Sequence, residues 1–385
     1  MDFNLSQEQA LLRDNAARFA KEYTMETRRA VVAAGGFSQP RWRDFANLGW
    51  LAAGVPEALG GFGGPIETAL IAEEFGRAVV ADPFLGAAVL GTQLFIAGSD
   101  ETSIAAILPE VLDGRSIIAA AFSEPDSRCD FSRIATVARP HGERFRLDGK
   151  KTLVLAGTIA DRLIVSAKLH SGPGAAQSLG LYLIHPDAAG LTIVPTPLHD
   201  GSNAATLELR DVDAQPLGDP AMAVAALTAM AEYGIAAIAA ESVGIMAAAI
   251  AITAEYVKTR QQFGVPLAAL QVIQHRLADM VIDLEMSKAT RNLALAAFEI
   301  EEPALRAQRF AGVKFAAGDA LRRVMAGAMQ SHGAMGLTDD YPIGHYLKRM
   351  MVLDAVLGSP DHHLGHYAKI TRLEGVKYPA SSVVR

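Results

Sequence analysis

The chain has 385 residues, of which 50% are hydrophobic, and this suffices for two or three domains with apolar cores. Its formal net charge of −7 argues against nucleic acid or an anionic membrane as the main partner. The one cysteine, Cys129, excludes an internal disulfide framework and cysteine-based zinc sites. The first ten residues, MDFNLSQEQA, are polar and unlike a signal peptide, so we expect a cytoplasmic protein.

Residues 1–118 carry helical periodicity. Ser6 is placed to cap the first helix, with Gln9 as its capping-box partner. Further helices are predicted at 40–48, 66–80, 83–97 and 102–112. The first domain is therefore predicted to be helical.

Residues 119–217 consist of short alternating segments that are typical of strands. Strands are predicted at 134–139, 145–147, 151–155, 162–167, 179–184 and 191–195. Turn residues recur between them, notably Asp148-Gly149 and residues 172–174. The pattern predicts a middle antiparallel β domain, either a small barrel or a sandwich.

Residues 218–385 return to long helical segments, predicted at 222–258, 267–298, 303–332 and 343–357. Short connections between them predict a C-terminal four-helix bundle, so the fold class of the chain is α+β. The first bundle helix is long and apolar, but Glu232, Glu241 and Glu255 interrupt it. We therefore expect a buried core helix and no membrane span.

A helix break within residues 256–280, YVKTRQQFGVPLAALQVIQHRLADM, is the first candidate site. Gly264 and Pro266 interrupt the helical pattern shortly after Arg260, which leaves backbone donors free beside a guanidinium group. Such an arrangement suits a phosphate-bearing ligand. An ordinary helix-turn-helix with a surface arginine explains the same pattern.

Familiar catalytic motifs are absent from the sequence. It contains no HExxH, CxxC, GxSxG or P-loop pattern, so no metal site and no triphosphate chemistry are predicted. His362 and His363 are adjacent, which on a helix points them about 100° apart, so we predict a solvated terminus and no chelation. Residues 330–336, QSHGAMG, fit either a cofactor contact or a helix C-cap.

Four segments taken together resemble one protein family along essentially the whole chain. They are MDFNLSQEQALLRD, LPEVLDGR…AFSEP, RQQFGVPLAALQ…LADM and QSHGAMGLTDDYPIGHYLKR. The family is that of the acyl-CoA dehydrogenases, and its order of domains matches the predicted one. The ending LKRMMVLDAVLGSPDHHL is most similar to the small subunits of pimeloyl-CoA dehydrogenases and related two-component enzymes.

This resemblance implies FAD as the cofactor and an acyl-CoA thioester as the substrate. In the family a glutamate removes the proton alpha to the thioester carbonyl, and the beta hydride passes to the flavin. Electron-transfer flavoprotein is the implied acceptor. The FAD lies across a subunit interface, where one subunit holds the ring and supplies the base while its neighbour binds the diphosphate and adenosine.

The residues that bind the diphosphate and adenosine in the family have matches in this chain. Arg260 and Phe263 match the arginine and phenylalanine that approach the neighbour's FAD. Gln271 matches a further glutamine that contacts the cofactor. Gln330 and Gly333 match a QxxGG segment, although alanine replaces its second glycine. The resemblance thus implies that this half of an FAD site is retained.

The catalytic base of the family has no match in this chain. Its two known positions fall on Gly358 and Gly234, and glycine cannot accept a proton. Glu241 shares a helical face with Gly234 but lies nearly two turns away, whereas Glu232 is offset in helical phase. Glu241 is the remaining candidate for a base.

The β domain also departs from the family pattern beside the flavin. Ser123 keeps a hydroxyl for the flavin pyrimidine, but Arg128 replaces a flexible glycine and Cys129 replaces the serine on the CoA side. The aliphatic residues 153–155, LVL, replace a Trp-Ile-Thr segment that backs the ring. Strand packing needs only aliphatics, so the structural role survives and the flavin contacts do not.

The two halves together suggest a division of labour. The hypothesis is that this chain is one subunit of a heteromeric acyl-CoA dehydrogenase, an α2β2 tetramer, and completes the FAD site of a catalytic paralogue. Three alternatives remain. They are a homomeric dehydrogenase with an atypical base such as Glu241, a flavin monooxygenase that uses His362 or His363, and a non-catalytic scaffold subunit.

Overall fold

The N-terminal part of the protein is helical, as predicted. A computed structural model describes residues 4–127, 130–131, 133–170 and 178–373. Its first helices are α1 (Gln7–Glu22), α2 (Met25–Ala33), α3 (Gln39–Asn47), α4 (Pro65–Ala78), the π-helical segment Phe84–Gly91, α5 (Thr92–Gly98) and α6 (Glu101–Leu112). The Ser6 and Gln9 capping box is present at the start of α1. The short helix α2 was not predicted.

An aromatic cluster joins the N-terminal helices. The ring centroid of Phe19 on α1 lies 5.4 Å from that of Phe45 on α3 and 5.7 Å from that of Phe75 on α4. Trp50, which follows α3, completes the cluster at 5.1 Å from Phe19. Aromatic pairs at such distances stabilise beyond their buried area, by about 0.5–1.5 kcal/mol each. The periodic apolar positions of α1 therefore point into a shared core.

The middle part of the chain forms one seven-stranded sheet. Its strands are β1 (Ile118–Ala121), β2 (Val137–His141), β3 (Arg144–Leu155), β4 (Arg162–Leu169), β5 (Leu179–Ile184), β6 (Leu191–Pro197) and β7 (Asn203–Pro216). The order is β1-β4-β2-β3-β7-β5, with β6 beside β7, and a further β4–β5 pairing closes the strands into a barrel. Most pairings are antiparallel as predicted, but β4 pairs in parallel with both β1 and β2.

Two details of the β domain differ from the prediction. Asp148-Gly149, predicted as a turn, lies inside the long strand β3 at a shift in its pairing with β7. Gly149 is needed there because a Cβ would lie 2.5 Å from the Thr136 hydroxyl oxygen. Strand β7 was not predicted at all. The predicted turn at 172–174 and the replacements at Arg128 and Cys129 lie outside the described residues.

The C-terminal part is a helical bundle. It contains α7 (Ala223–Thr259), the hairpin strands β8 (Gln261–Gln262) and β9 (Val265–Pro266), α8 (Gln271–Ala297), α9 (Pro303–His332), α10 (Ile343–Ala355) and α11 (Pro360–Leu373). Helices α7, α8 and α9 pack against one another, and α10 and α11 pack against α9. Helix α11 was not predicted. The domain boundaries 1–118, 119–217 and 218–385 remain predictions.

Helix α7 is the central element of the molecule. With the turn that precedes it, Pro220–Thr259 is the one helix in the described part of the chain that is long and apolar enough to cross a membrane. However, 72% of its most apolar window is buried inside the protein. Gly244 allows close packing on α4, since a Cβ there would lie 1.9 Å from the Glu73 carbonyl oxygen. The prediction of a buried core helix matches this burial.

Candidate functional site

Arg260 ends α7 at one tip of the bundle. Its backbone N–H donates to the Tyr256 carbonyl at 2.9 Å, and its own carbonyl accepts from the Leu267 N–H at 2.8 Å across the hairpin. The backbone at this helix break is thereby fixed while the guanidinium remains exposed. At the hairpin turn Phe263 is 90% exposed and has φ of 56°. A large apolar ring held out on left-handed backbone adds little to the fold, so it is suited to contact another molecule.

The end of α9 lies beside the end of α7. The ring of Tyr256 stacks on that of His332 at 4.4 Å, and its hydroxyl donates to the His332 carbonyl at 3.4 Å. At the start of α8, Arg276 donates to the Ser331 hydroxyl at 3.4 Å. Three helix ends therefore meet at this tip, and they carry the residues that the family resemblance implies as cofactor contacts.

The five residues predicted to contact the diphosphate and adenosine lie on the elements that meet at this tip. Arg260 caps α7, Phe263 is in the hairpin turn, Gln271 is the first residue of α8, and Gln330 is on the last turn of α9. Gly333 caps α9 with φ of 59°, and a Cβ there would meet no atom of the described residues within 4 Å. This tip offers exposed donors, an exposed ring and open space beside a glycine.

The two glycines at the family's base positions lie on either side of Leu357. A Cβ on Gly234 would lie 2.5 Å from a methyl carbon of Leu357 and 2.6 Å from one of Leu90. Gly358 follows Leu357 with φ of 93°, and a Cβ on it would lie 3.0 Å from the His362 ring. Leucine side chains thus fill the space in which a carboxylate would act.

Ser123 faces the same filled space. A cavity of about 10 Å³ remains there between the β domain and the bundle. It is lined by small or aliphatic residues together with Phe122 and Ser123: Gly86, Leu90, Ala120, Leu153, Leu155, Val356 and Leu357. A volume of this size holds about one water molecule. Neither a flavin ring nor an acyl chain fits into it.

Glu241 is engaged in a buried ion-pair network. Its two carboxylate oxygens accept from Arg349 at 2.6 and 3.1 Å, and Arg349 also donates to Asp200 at 2.9 Å. Burial alone would raise the pKa of Asp200, but the Arg349 charge and hydrogen bonds from Ser202 outweigh it and lower that pKa. The network joins α7 to α10 and to the turn between β6 and β7. Such a bidentate pair holds the Glu241 carboxylate in place as a structural partner of arginine.

A second, larger cavity lies on the other side of Leu357. It measures about 450 Å³, and Glu232, His362 and His363 are among its polar lining residues. Glu232 accepts from Arg306 at 3.0 Å. Burial raises the pKa of Glu232, and Arg306 offsets this only in part. Leu357 borders both cavities and separates them.

The burial of His363 shows that the prediction of a solvated terminus is wrong at this residue. It is buried on α11, and its Nε2 lies 2.7 Å from the Leu357 carbonyl oxygen, to which it must donate because a carbonyl only accepts. Burial lowers the pKa of His363 to about 4. The imidazole is therefore neutral, and its hydrogen bond holds the Leu357-Gly358 turn in place. His362 is half-buried beside it.

A buried Glu124–Lys151 pair was missed by the sequence analysis. The Lys151 ammonium is fully buried and donates to Glu124 at 2.7 Å and to Ser166 at 3.1 Å. Glu124 also accepts from the Thr136 hydroxyl at 2.6 Å. Burial lowers the pKa of Lys151 to about 8. The pair fixes the loop that carries Ser123, and the available sequence signal was the position of Lys151 within a predicted strand.

Matches to family models cover most of the chain. Residues 6–115 match the acyl-CoA dehydrogenase N-terminal domain, 119–212 the middle domain and 224–371 the C-terminal domain. This chain belongs to the acyl-CoA dehydrogenase family, which consists of FAD-dependent oxidoreductases.

Individual relatives extend over nearly the full length. The probable acyl-CoA dehydrogenase YngJ of Bacillus subtilis is 28% identical, with 94% of this chain and 97% of that protein aligned. CarC of Acetobacterium woodii, a subunit of a caffeyl-CoA reductase-Etf complex, is 26% identical, with 88% and 91% aligned. A solved structure of a Tcur3481-Tcur3483 steroid ACAD variant is 30% identical, has a TM-score of 0.85, and covers 96% of this chain and 99% of its own.

The two halves of an FAD site in this chain fit the cofactor differently. The exposed arginine, ring and glutamines at the bundle tip suit a diphosphate and an adenosine. The space beside Ser123 does not accept the flavin ring, because leucines occupy it. The exposed residues of the bundle tip therefore fit the diphosphate and adenosine of an FAD better than the space beside Ser123 fits its ring.

Proposed function

We propose that this chain is one subunit of a heteromeric FAD-dependent acyl-CoA dehydrogenase, assembled as an α2β2 tetramer with a catalytic paralogue. It completes the partner's FAD site and lacks a catalytic glutamate of its own. The observation that carries this proposal is the Leu357 packing, because both base positions are glycine and leucines fill the space between them. The bundle tip, by contrast, keeps every predicted cofactor contact exposed.

The contribution of this chain is binding and orientation. Arg260 donates to the FAD diphosphate, a charge-assisted contact worth about 1.5–3 kcal/mol. Phe263 packs on the adenine, and Gln271, Gln330 and Gly333 line the same tip. The bound FAD supplies the redox chemistry, and the partner supplies the base that removes the proton alpha to the thioester carbonyl.

A homomeric enzyme that uses Glu241 is less consistent with these contacts. Glu241 would have to give up its bidentate hydrogen bonds with the buried Arg349, which would then keep Asp200 as its carboxylate partner. The carboxylate also lies nearly two helical turns from Gly234, a separation of about 10 Å along α7.

The relatives suggest the wider setting. The steroid ACAD named as a Tcur3481-Tcur3483 pair supports a heteromeric enzyme, and CarC supports electron-transfer flavoprotein as the acceptor. The substrate proposed is an acyl-CoA with a bulky or dicarboxylic acyl group, such as a steroid side chain or pimeloyl-CoA, in the cytoplasm. These group classes follow from the likeness to two-component enzymes.

The test is to express this chain alone and together with a paralogous dehydrogenase that has the catalytic glutamate. The proposal predicts that only the purified complex reduces a dye or electron-transfer flavoprotein when acyl-CoA is added. Turnover by the lone chain would contradict it and favour the homomeric enzyme. Oxygen consumption by the lone chain with reduced flavin and no acyl-CoA would instead favour a monooxygenase.

A single substitution distinguishes the proposal from the alternative of a non-catalytic scaffold subunit. If the chain is only a scaffold, Arg260→Ala in the complex leaves turnover unchanged. The proposal predicts a loss of turnover that added FAD partly restores, since the substitution weakens cofactor binding and leaves the partner's base in place.

A further inference from the structure

A trough of about 790 Å³ lies between helices of the N-terminal part and α8. Its volume is within the range of small-molecule sites in proteins, about 300–1,000 Å³. Each of three helices contributes one stripe. The stripes are Gln9, Arg13, Ala17, Ala20 and Lys21 of α1; Ile66, Ala69, Leu70, Glu73, Glu74 and Arg77 of α4; and Lys288, Arg291, Asn292 and Leu295 of α8. None of these residues belongs to the site described above.

Contacts between the helices fix the direction of each stripe. Gln9 donates to Glu67 at 2.8 Å, and the Phe19 and Phe75 rings lie 5.7 Å apart, so α1 and α4 run side by side in the same direction. Phe298, just after α8, packs on Tyr233 at 5.0 Å. The start of α4 also lies beside Tyr233.

The position of α8 along the trough follows from two further contacts. A Cβ on Gly64, the cap of α4, would lie 4.0 Å from the Tyr233 hydroxyl, so the end of α8 is beside the start of α4. Arg291 pairs with Glu73 further along. Helix α8 therefore runs opposite to α4, and Lys288 lies towards Arg77 while Leu295 lies towards Ile66.

The trough is consequently polarised from end to end. One end has the side chains of Lys21, Arg77, Lys288 and Arg291. The other is lined by the apolar residues Leu5, Ile66, Leu70 and Leu295 together with the polar Asn4 and Gln9, and Arg13 lies between the two ends. The stripe on α4 alone, from Ile66 to Arg77, spans about 16 Å at 1.5 Å per residue. Alanines at 17, 20 and 69 keep the floor between these ends open.

Cationic side chains outnumber the carboxylates in the lining of the trough, five to two. Two of the five pair with carboxylates outside the lining: Arg13 with Asp14 at 2.9 Å and Lys288 with Glu285 at 2.7 Å. Both carboxylates are already paired: Glu73 with Arg77 at 2.8 Å and with Arg291, and Glu74 with Arg77 at 3.1 Å. A cationic end in an acidic protein attracts an anionic head group.

We propose that this trough binds a single-chain anionic amphiphile, with a carboxylate or phosphate head at the Lys21–Lys288 end and an apolar tail over Leu70 and Leu295. The tail buries apolar area at about 25 cal/mol per Å², and the head pairs with ammonium and guanidinium groups.

The test uses the full chain and a fluorescent fatty acid, dansylaminoundecanoic acid, with displacement by dodecanoate and dodecyl phosphate below their micelle concentrations. Both anionic amphiphiles should displace the probe. Dodecanol and inorganic phosphate, each of which has half of the required chemistry, should displace it at least tenfold less well. Equal displacement by dodecanol would overturn the proposal.

Matched variants locate the binding. The double substitution Lys21→Glu with Lys288→Glu should weaken dodecanoate binding at least tenfold, whereas Arg43→Glu, an exposed residue of α3 outside the trough lining, should leave it unchanged. Ala17→Phe, which fills the trough with an uncharged side chain, should weaken probe binding as well. Unchanged affinity in the double variant and in Ala17→Phe would refute the site.

An experiment with lipid vesicles distinguishes binding of a free amphiphile from binding to a membrane surface. Vesicles of neutral phosphatidylcholine with added phosphatidylglycerol should not retain the chain, since a concave trough accepts one chain and not a bilayer. Retention on vesicles without any displacement by monomeric dodecanoate would contradict the proposal. Flavin content of the complex should stay unchanged in the double variant, so a failure here is distinct from a failure of the proposed subunit role.

Discussion

Leu357 determines what the centre of this chain can contain. Its side chain occupies the space beside Gly234, and the backbone turn that follows it carries Gly358 at a positive φ. The family resemblance indicated that the catalytic glutamate is missing, because both of its alternative positions are occupied by glycine. It did not show that leucines fill the remaining space, because that depends on Leu90 from a distant helical segment.

Restoring the glutamate at position 358 should not restore a base. In Gly358→Glu the new side chain starts from left-handed backbone and meets the His362 ring, while Leu357 still fills the reaction space. We expect no dehydrogenation by the lone variant chain, measured as acyl-CoA-dependent dye reduction. The control is the same assay on an active paralogue. Substantial turnover by the lone variant would show that the space opens on its own.

Burial of His363 makes the stability of the protein depend on pH. Its folded pKa of about 4 lies below the ordinary value of 6.5, so between these pH values the unfolded chain binds a proton that the folded chain does not. Stability should therefore fall as the pH falls, by about 2 kcal/mol between pH 7 and pH 5 from this group. Urea unfolding of the wild type and of His363→Gln at both pH values measures the difference. An equal fall in the two proteins would refute the role of His363.

At the scale of elements, long periodic helices were predictable and local exceptions were not. The capping box of α1 follows from the spacing of Ser6 and Gln9, and the helices α4 and α9 follow from apolar periodicity. Helix α7 is predictable from its long apolar run, because residues 234–246 are all buried. The turn predicted at Asp148-Gly149 failed because turn residues also occur at strand irregularities, where Gly149 accommodates Thr136. The parallel pairings of β4 depend on chain crossings that no local pattern records.

Close packing of α4 on α7 should make one glycine indispensable. Gly244→Ala places a Cβ 1.9 Å from the Glu73 carbonyl, so the helices must separate, at a cost of about 1–3 kcal/mol or more. Gly365→Ala on α11 is the matched control, since its Cβ would meet no described atom within 4 Å. That substitution should stabilise by about 0.5–1 kcal/mol through helix propensity. Chemical denaturation that gave the same sign for both variants would contradict this packing.

The hairpin after α7 should bind cofactor through a single charge. Arg260→Ala in the assembled complex should weaken FAD binding by about 1.5–3 kcal/mol, which is a factor of about 10–150. Lys258→Ala is the control, because its exposed ammonium pairs with Glu255 on the same helix. Flavin retained after gel filtration measures the effect. Equal retention in the two variants would remove Arg260 from the site.

At the scale of the whole molecule, the order of helical, β and helical parts followed from changes in hydrophobic periodicity along the chain and from the family resemblance. The meeting of three helix ends at the bundle tip was implied by that resemblance and has its own contacts, such as the Tyr256 and His332 stack. The trough between α1, α4 and α8 was not predictable, because its residues are scattered from position 4 to position 295. Cavities arise from long-range packing, which a single sequence does not display.

We propose above all that this chain binds the diphosphate and adenosine of a partner's FAD and holds no flavin ring of its own. Its most direct test is to count FAD per pair of chains in the purified heteromeric complex, by absorbance of the released flavin against protein concentration. We predict one FAD per pair, lost on Arg260→Ala in this chain, and no stoichiometric FAD in the chain alone. Two FAD per pair, or a full complement of FAD in the lone chain, would contradict the account.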